Sequence, residues 1–102
     1  TGGQVTSVTA LNEIPTTYAL KQNYPNPFNP STRIEYSIPE NSFVSIKVYN
    51  SVGQLVATLV NENQSTGTYR VEWSAKNVPS GIYFYRMETS KFTTMKKMLL
   101  LK

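Results

Sequence analysis

The chain contains no cysteine, no histidine and no aspartate. The first absence excludes disulfides, thiolate catalysis and Cys-based metal sites. The other two remove Ser-His-Asp triads, histidine metal centres and aspartate-rich calcium loops. The only acids are six glutamates, Glu13, Glu35, Glu40, Glu62, Glu72 and Glu88. No two are adjacent, and nothing in their spacing marks the carboxylate pair of a glycosidase. Glu35 and Glu72 sit near Arg33 and Arg70 on their strands, a pattern of exposed cross-strand charge pairing rather than of an acid and a base. Long apolar runs are also missing. The most apolar stretch, Met98-Leu99-Leu100-Leu101, is four residues, whereas a transmembrane helix needs about 18 or more. No catalytic residue, metal ligand or cofactor is expected, and no transmembrane segment.

What is present fits one small domain. The chain has 102 residues, of which 39% are apolar. A chain of this length buries roughly 60–65% of its unfolded surface, enough for one modest core. The net charge is +4, and it is unevenly placed. Residues 91–102 carry Lys91, Lys96, Lys97 and Lys102 and no acid, while the other ninety residues hold six basic and six acidic side chains that cancel. The excess therefore lies on the tail, where it can meet an anionic surface or a receptor. Nucleic acid is not an expected partner, because the tail cations are few and only Phe92 interleaves them.

Along the chain, residues 1–17 are rich in Thr, Gly and Ser and read as a linker from an upstream domain. The start, Thr1-Gly2-Gly3-Gln4-Val5, reads as a cut from a longer chain. A short strand at about 18–21 precedes Asn23-Tyr24-Pro25-Asn26-Pro27-Phe28-Asn29-Pro30, whose prolines forbid a helix and predict a rigid, ordered loop. Phe28 and Tyr24 are expected to plug that loop onto the body. From residue 32 the apolar period is two. Ile34, Tyr36 and Ile38 alternate up to Pro39, and Val44, Ile46 and Val48 follow. Asn50-Ser51-Val52-Gly53 predicts a turn with Gly53 at positive φ, and Gln54 to Val60 returns. Tyr69, Val71 and Trp73 face one way, with Trp73 expected in the core. Residues 82–87 are apolar on nearly both faces, as in a central strand, and 92–101 make the last strand. Seven strands at regular spacing without an amphipathic helix predict an all-β fold, an immunoglobulin-like seven-stranded antiparallel β-sandwich.

Several blocks carry a resemblance. They are Leu20 through Thr32 with its Asn23-Tyr24-Pro25-Asn26-Pro27-Phe28-Asn29-Pro30 core, and Val48-Tyr49-Asn50 with Val52-Gly53-Gln54. Further blocks are Gly67 with Tyr69, Val71 and Trp73, then Ser80-Gly81-Ile82-Tyr83-Phe84-Tyr85-Arg86, then the ending Lys96-Lys97-Met98-Leu99-Leu100-Leu101-Lys102. In order, over about residues 18–102, they resemble the type A C-terminal sorting domains of the type IX secretion system. That family is similar to the immunoglobulin-like domain of flagellar hook-capping proteins. The resemblance implies a non-catalytic signal that directs a secreted passenger, upstream in the same chain, across the outer membrane. It implies the outer-membrane secretion machinery as partner and a secreted or cell-surface destination by way of the periplasm. It also implies that the domain is often cleaved and the passenger released or attached to an anionic lipopolysaccharide.

An export machine that handles varied passengers needs a signal with its own fold and surface. The last strand, residues 91–101, is the expected readout, because an edge strand offers unpaired backbone groups to a partner. The residues expected at that contact are Lys96, Lys97, Met98, Leu100 and Lys102. A second reading is a carbohydrate-binding or spacer β-sandwich of a secreted glycoside hydrolase. It requires outward aromatics, among Phe43, Tyr49 and Phe84, to form a flat row.

Overall fold

The computed structural model describes residues 8–11 and 15–102. Eight strands follow in order: β1 Val8–Leu11, β2 Ala19–Leu20, β3 Ser31–Ile38, β4 Ser42–Asn50, β5 Leu55–Gln64, β6 Gly67–Ser74, β7 Gly81–Glu88 and β8 Thr93–Leu100. They form two four-stranded antiparallel sheets, β1-β6-β3-β2 and β5-β4-β7-β8. The seven strands that alternation predicts are β2 to β8, and their sandwich is as expected. The eighth, β1, lies within the stretch read as linker. Val8 to Leu11 pair with Val71 to Thr68 along the free side of β6. A four-residue strand at a sheet edge is too short to impose a visible period, so composition alone read it as loop. The rest of residues 1–14 lies outside the described residues.

The core forms because each period-2 strand turns its apolar side to the opposite sheet. Ile34, Tyr36 and Ile38 of β3 and Val71 and Trp73 of β6 meet Val44, Ile46 and Val48 of β4, Tyr83, Tyr85 and Met87 of β7, and Met98 and Leu100 of β8. Tyr36 can be fully buried because its hydroxyl donates to Gln64 Oε1 at 2.6 Å, and burial raises its pKa. Every fully buried side-chain polar atom among the described residues has a partner. The outer face of the first sheet is polar. There Arg33 lies opposite Glu72 and Arg70 opposite Glu35, the cross-strand arrangement expected, with Lys21 Nζ also 3.2 Å from Glu35.

The two hairpin strands β4 and β5 are joined as the sequence predicts. The Asn50 carbonyl accepts from Gly53 N at 3.0 Å, and the Asn50 side chain accepts from Val52 N and Gln54 N. Gly53 has φ of +88°, a conformation that costs glycine little. The sequence did not reveal that β5 is irregular. Its register against β4 shifts between Ile46 and Lys47 and between Val48 and Tyr49, passing over Leu59 and Val56. The first shift explains why the neighbours Leu59 and Val60 are both buried.

Candidate functional site

The last strand sits at the edge of the second sheet, with β7 as its one ladder neighbour. Its eight pairs with β7, Thr93 with Glu88 through Leu100 with Gly81, run without a shift. The structure divides the five expected contact residues. Met98 and Leu100 are 1% and 0% exposed, so their side chains pack in the core and are not available to a partner. This corrects their assignment as contacts. In a strand facing a core, alternation turns every second apolar residue inward, and the run Met98 to Leu101 hid that alternation. Lys96 is half-buried on the same face as Met98, Lys97 is exposed on the outer face, and Lys102 is exposed beyond the strand. Lys96 and Lys97 form no ion pair among the described residues. Lys102 is held in place: its backbone N donates to Ser80 Oγ at 2.9 Å and its Nζ to the Lys76 carbonyl at 2.8 Å. The fourth tail lysine, Lys91, is paired with Glu40 at 3.2 Å.

The proline-rich loop closes part of this edge. Gln22 Nε2 donates to the Lys97 carbonyl at 2.7 Å, and Leu99 N donates to Asn26 Oδ1 at 3.0 Å. Phe28 N donates to the Leu99 carbonyl and Leu101 N to the Phe28 carbonyl, both at 3.0 Å, in a parallel bridge. From Lys97 to Leu101 the outer edge is therefore occupied by residues 22–28. The role of the loop as an edge cover was not legible in its sequence, which signals rigidity but not direction.

The loop can do this because it is built as a small body of its own. Asn23 and Thr32 are buried. Asn23 Nδ2 donates to Thr32 Oγ1 at 2.9 Å and to the Pro25 carbonyl at 3.1 Å, and Thr32 Oγ1 donates to the same carbonyl at 2.9 Å. The peptide bonds before Pro25, Pro27 and Pro30 are cis. Phe28 is 2% exposed and tilts onto Trp73 at 5.8 Å, and Trp73 meets Tyr83 edge-on at 5.7 Å. Phe28 is thus the plug that was expected, and Trp73 is a core residue. Tyr24 is not a plug. It is 69% exposed, with the Arg33 guanidinium over its ring at 5.7 Å. Its backbone carries the attachment instead, exchanging bonds with Arg33 at 2.9 and 2.8 Å. Ahead of the loop, the Tyr85 hydroxyl donates to the Lys21 carbonyl at 2.7 Å. Burial pushes its pKa up to about 12, against a hydrogen bond from the Asn23 backbone.

The sequence matches the family described as secretion system C-terminal sorting domain over residues 22–101. The chain belongs to that family. The sorting domain is a C-terminal signal for type IX secretion, and its presence marks a secreted or cell-surface protein that passes the outer membrane. The matched span includes the loop, β3 to β8 and the edge they create, and leaves out β1 and β2. Among solved structures, the sorting domain is similar to a part of PorZ, an essential bacterial surface component of the type-IX secretion system of human oral-microbiomic Porphyromonas gingivalis. The identity is 21% and the TM-score 0.56, covering 83% of this chain and 11% of PorZ. At that identity the likeness shows the shared fold. No curated protein matches.

Of the aromatics that a sugar platform requires, Tyr49 and Phe84 lie directly opposite each other on β4 and β7. With Met95 and Arg86 they line a shallow hollow of about 300 Å³ on the outer face of the second sheet. Phe43 lies six residues from Tyr49 along β4, about 20 Å away at strand rise, so the structure does not bring the three rings into one row.

Proposed function

We propose that this sorting domain exports a passenger carried upstream in its own chain, and that the outer-membrane secretion machinery reads it at β8 and the lysines beside it. The supporting observation is the charge left uncompensated there. The whole positive excess of the chain lies in residues 91–102, and Lys96 and Lys97 have no acidic partner among the described residues. Residues 1–17, with β1 docked on β6, would tie the domain to its passenger. The domain itself performs no chemistry in this reading.

The test is export of a periplasmic reporter fused ahead of residues 1–102 in a type IX-competent bacterium. Wild type is expected to deliver the reporter outside the cell, and Lys96→Glu with Lys97→Glu to retain it in the periplasm while melting near wild type. Deleting the tail would be a poor probe, because it removes Met98 and Leu100 from the core. Failure of the wild-type fusion, where another sorting domain succeeds, would overturn the proposal. The Tyr49–Phe84 pair and its hollow favour a second reading, a carbohydrate-binding face. Retention on insoluble polysaccharide, lost in Tyr49→Ala with Phe84→Ala, would support that reading.

A further inference from the structure

Sheet edges invite added strands, and proteins defend them by shortness, bulges, charge or a cover. Among the described strands, β2 has two residues and β1 four. The long edge β5 is broken by two register shifts. Among the described residues only β8 offers a long, regular edge, and its cover is partial.

Every second residue of an edge strand turns both backbone groups outward. The bonds to Gln22, Asn26 and Phe28 identify Lys97, Leu99 and Leu101 as outward-turning. The same alternation turns Met95 and Thr93 outward. The N–H and C=O of Thr93 and Met95 and the N–H of Lys97 then form an edge with no hydrogen-bond partner among the described residues. This window has fixed limits. At one end Tyr18 stacks on Phe92 at 5.3 Å, held by a hydrogen bond to Glu40 that also draws Lys91. At the other end, Gln22 occupies the Lys97 carbonyl.

We propose that residues 93–97 of β8 accept one short strand of a partner protein, and that this strand bears two consecutive acidic residues flanked by apolar ones. The proposal rests on the reading of β8 as the site of recognition and names the chemistry of what binds there. Backbone pairing supplies attachment without regard to sequence, and side chains supply selectivity. Lys97 on the outer face and Lys96 on the core-side face would each meet one of two successive carboxylates, since successive residues of a strand point to opposite faces. Met95, 57% exposed, offers the apolar contact beside them. The same two lysines oppose pairing between two copies of this chain, because it would bring like charges together on both faces. The covered stretch from Lys97 to Leu101 limits the accepted strand to about three to five residues, at the ~3.3 Å rise of a strand.

Two experiments test it. Met95→Pro removes an N–H that the β7 ladder does not use, a substitution that edge strands tolerate. Met95→Ala keeps the N–H and removes the side chain. In the reporter assay Met95→Pro, melting as wild type, is expected to lose about tenfold or more of export, the equivalent of roughly one hydrogen bond pair, and Met95→Ala to lose less. Export of folded Met95→Pro at the wild-type level would overturn strand addition while leaving the sorting role intact. Failure of the wild-type fusion would instead strike the sorting role. Should Met95→Pro unfold, an NMR titration of the wild-type chain decides. The probe is the hexapeptide acetyl-Thr-Val-Glu-Glu-Val-Thr-amide, with the Lys-Lys counterpart as control. Shifts and slowed exchange confined to the Thr93, Met95 and Lys97 amides, with the acidic peptide alone, are expected. No change at those amides at millimolar peptide, or equal binding of the basic peptide, would overturn the proposal.

Discussion

Residues 97–101 and residues 93–97 belong to one continuous end of the chain, yet they are held in opposite ways. The first stretch plants Met98 and Leu100 in the core and has its outer edge bonded to the loop. The second keeps its ladder with β7 but exposes Thr93, Met95 and Lys97. On the proposed reading of β8, the difference divides stability and recognition along the strand. One half fixes the strand in place, so the other half can stay bare without fraying. A fully covered edge would have nothing to offer a partner, and a fully open one would invite its own copies.

The strongest way to break this division is to remove the plug. Phe28→Ala should cost about 3–5 kcal/mol, the range for deleting a buried phenylalanine, because Phe28 packs on Trp73 and its backbone bridges Leu99 and Leu101. Chemical denaturation measures the loss. Amide exchange should show Leu99 and Leu101 becoming as unprotected as Met95. An unchanged contrast between those amides would mean that the loop does not hold the covered half.

High pH attacks the same attachment from the other side. Tyr85 is fully buried, donates to the Lys21 carbonyl, and has its pKa pushed up from 10.0 to about 12 by burial. A raised folded pKa means that the neutral form is favoured in the folded state. The stability it contributes is complete below pH 10 and lost as pH rises toward 12. At ~1.4 kcal/mol per unit the loss reaches about 2–3 kcal/mol. Tyr36, raised further by burial, extends the same trend upward. Denaturation midpoints across that range should fall in wild type and fall less in Tyr85→Phe.

Within the loop, Thr32→Val should cost about 1–3 kcal/mol, because it leaves a buried Asn23 donor and the Pro25 carbonyl each short of one partner. The loop should loosen before the sandwich does, which exchange at Leu99 would report.

Much of this molecule is readable from spacing alone. Ile34, Tyr36 and Ile38, or Val44, Ile46 and Val48, announce their strands because an alternating apolar set can bury only one face. Gly53 and Trp73 were legible for similar local reasons. Four features were not. β1 is too short to show a period. The β5 bulges depend on how Leu59 and Val56 fit between partners far along the chain. Tyr24 and Phe28 look alike in sequence, and only the path of the loop decides that one is buried and the other lies under Arg33. Met98 and Leu100 stand among the residues expected at the contact, because the run Met98 to Leu101 shows no alternation, whereas the strand buries both side chains in the core. Of the candidate site, the lysines were visible in composition, but the partial cover by residues 22–28 is a contact of about 75 residues' separation and leaves no local trace.

The smallest expected effect on stability is also the most informative about the open half. Lys96→Glu and Lys97→Glu alter side chains without an ion partner among the described residues, so Lys97→Glu, on the exposed face, should shift stability by no more than about 0.5 kcal/mol, as surface substitutions do, and the half-buried Lys96→Glu by about 1 kcal/mol. Their effect on recognition should be far larger, because each reverses a charge that the partner strand must meet. Replacing the exposed Lys91 gives the contrast, since it is already engaged by Glu40 and lies outside the open window. Lys91→Glu should therefore disturb export less than either of the other two. If the three reversals reduce export equally, the machinery responds to total tail charge, and the open half of β8 has no privileged place. If Lys96 and Lys97 stand apart from Lys91, charge is being read by position along the strand.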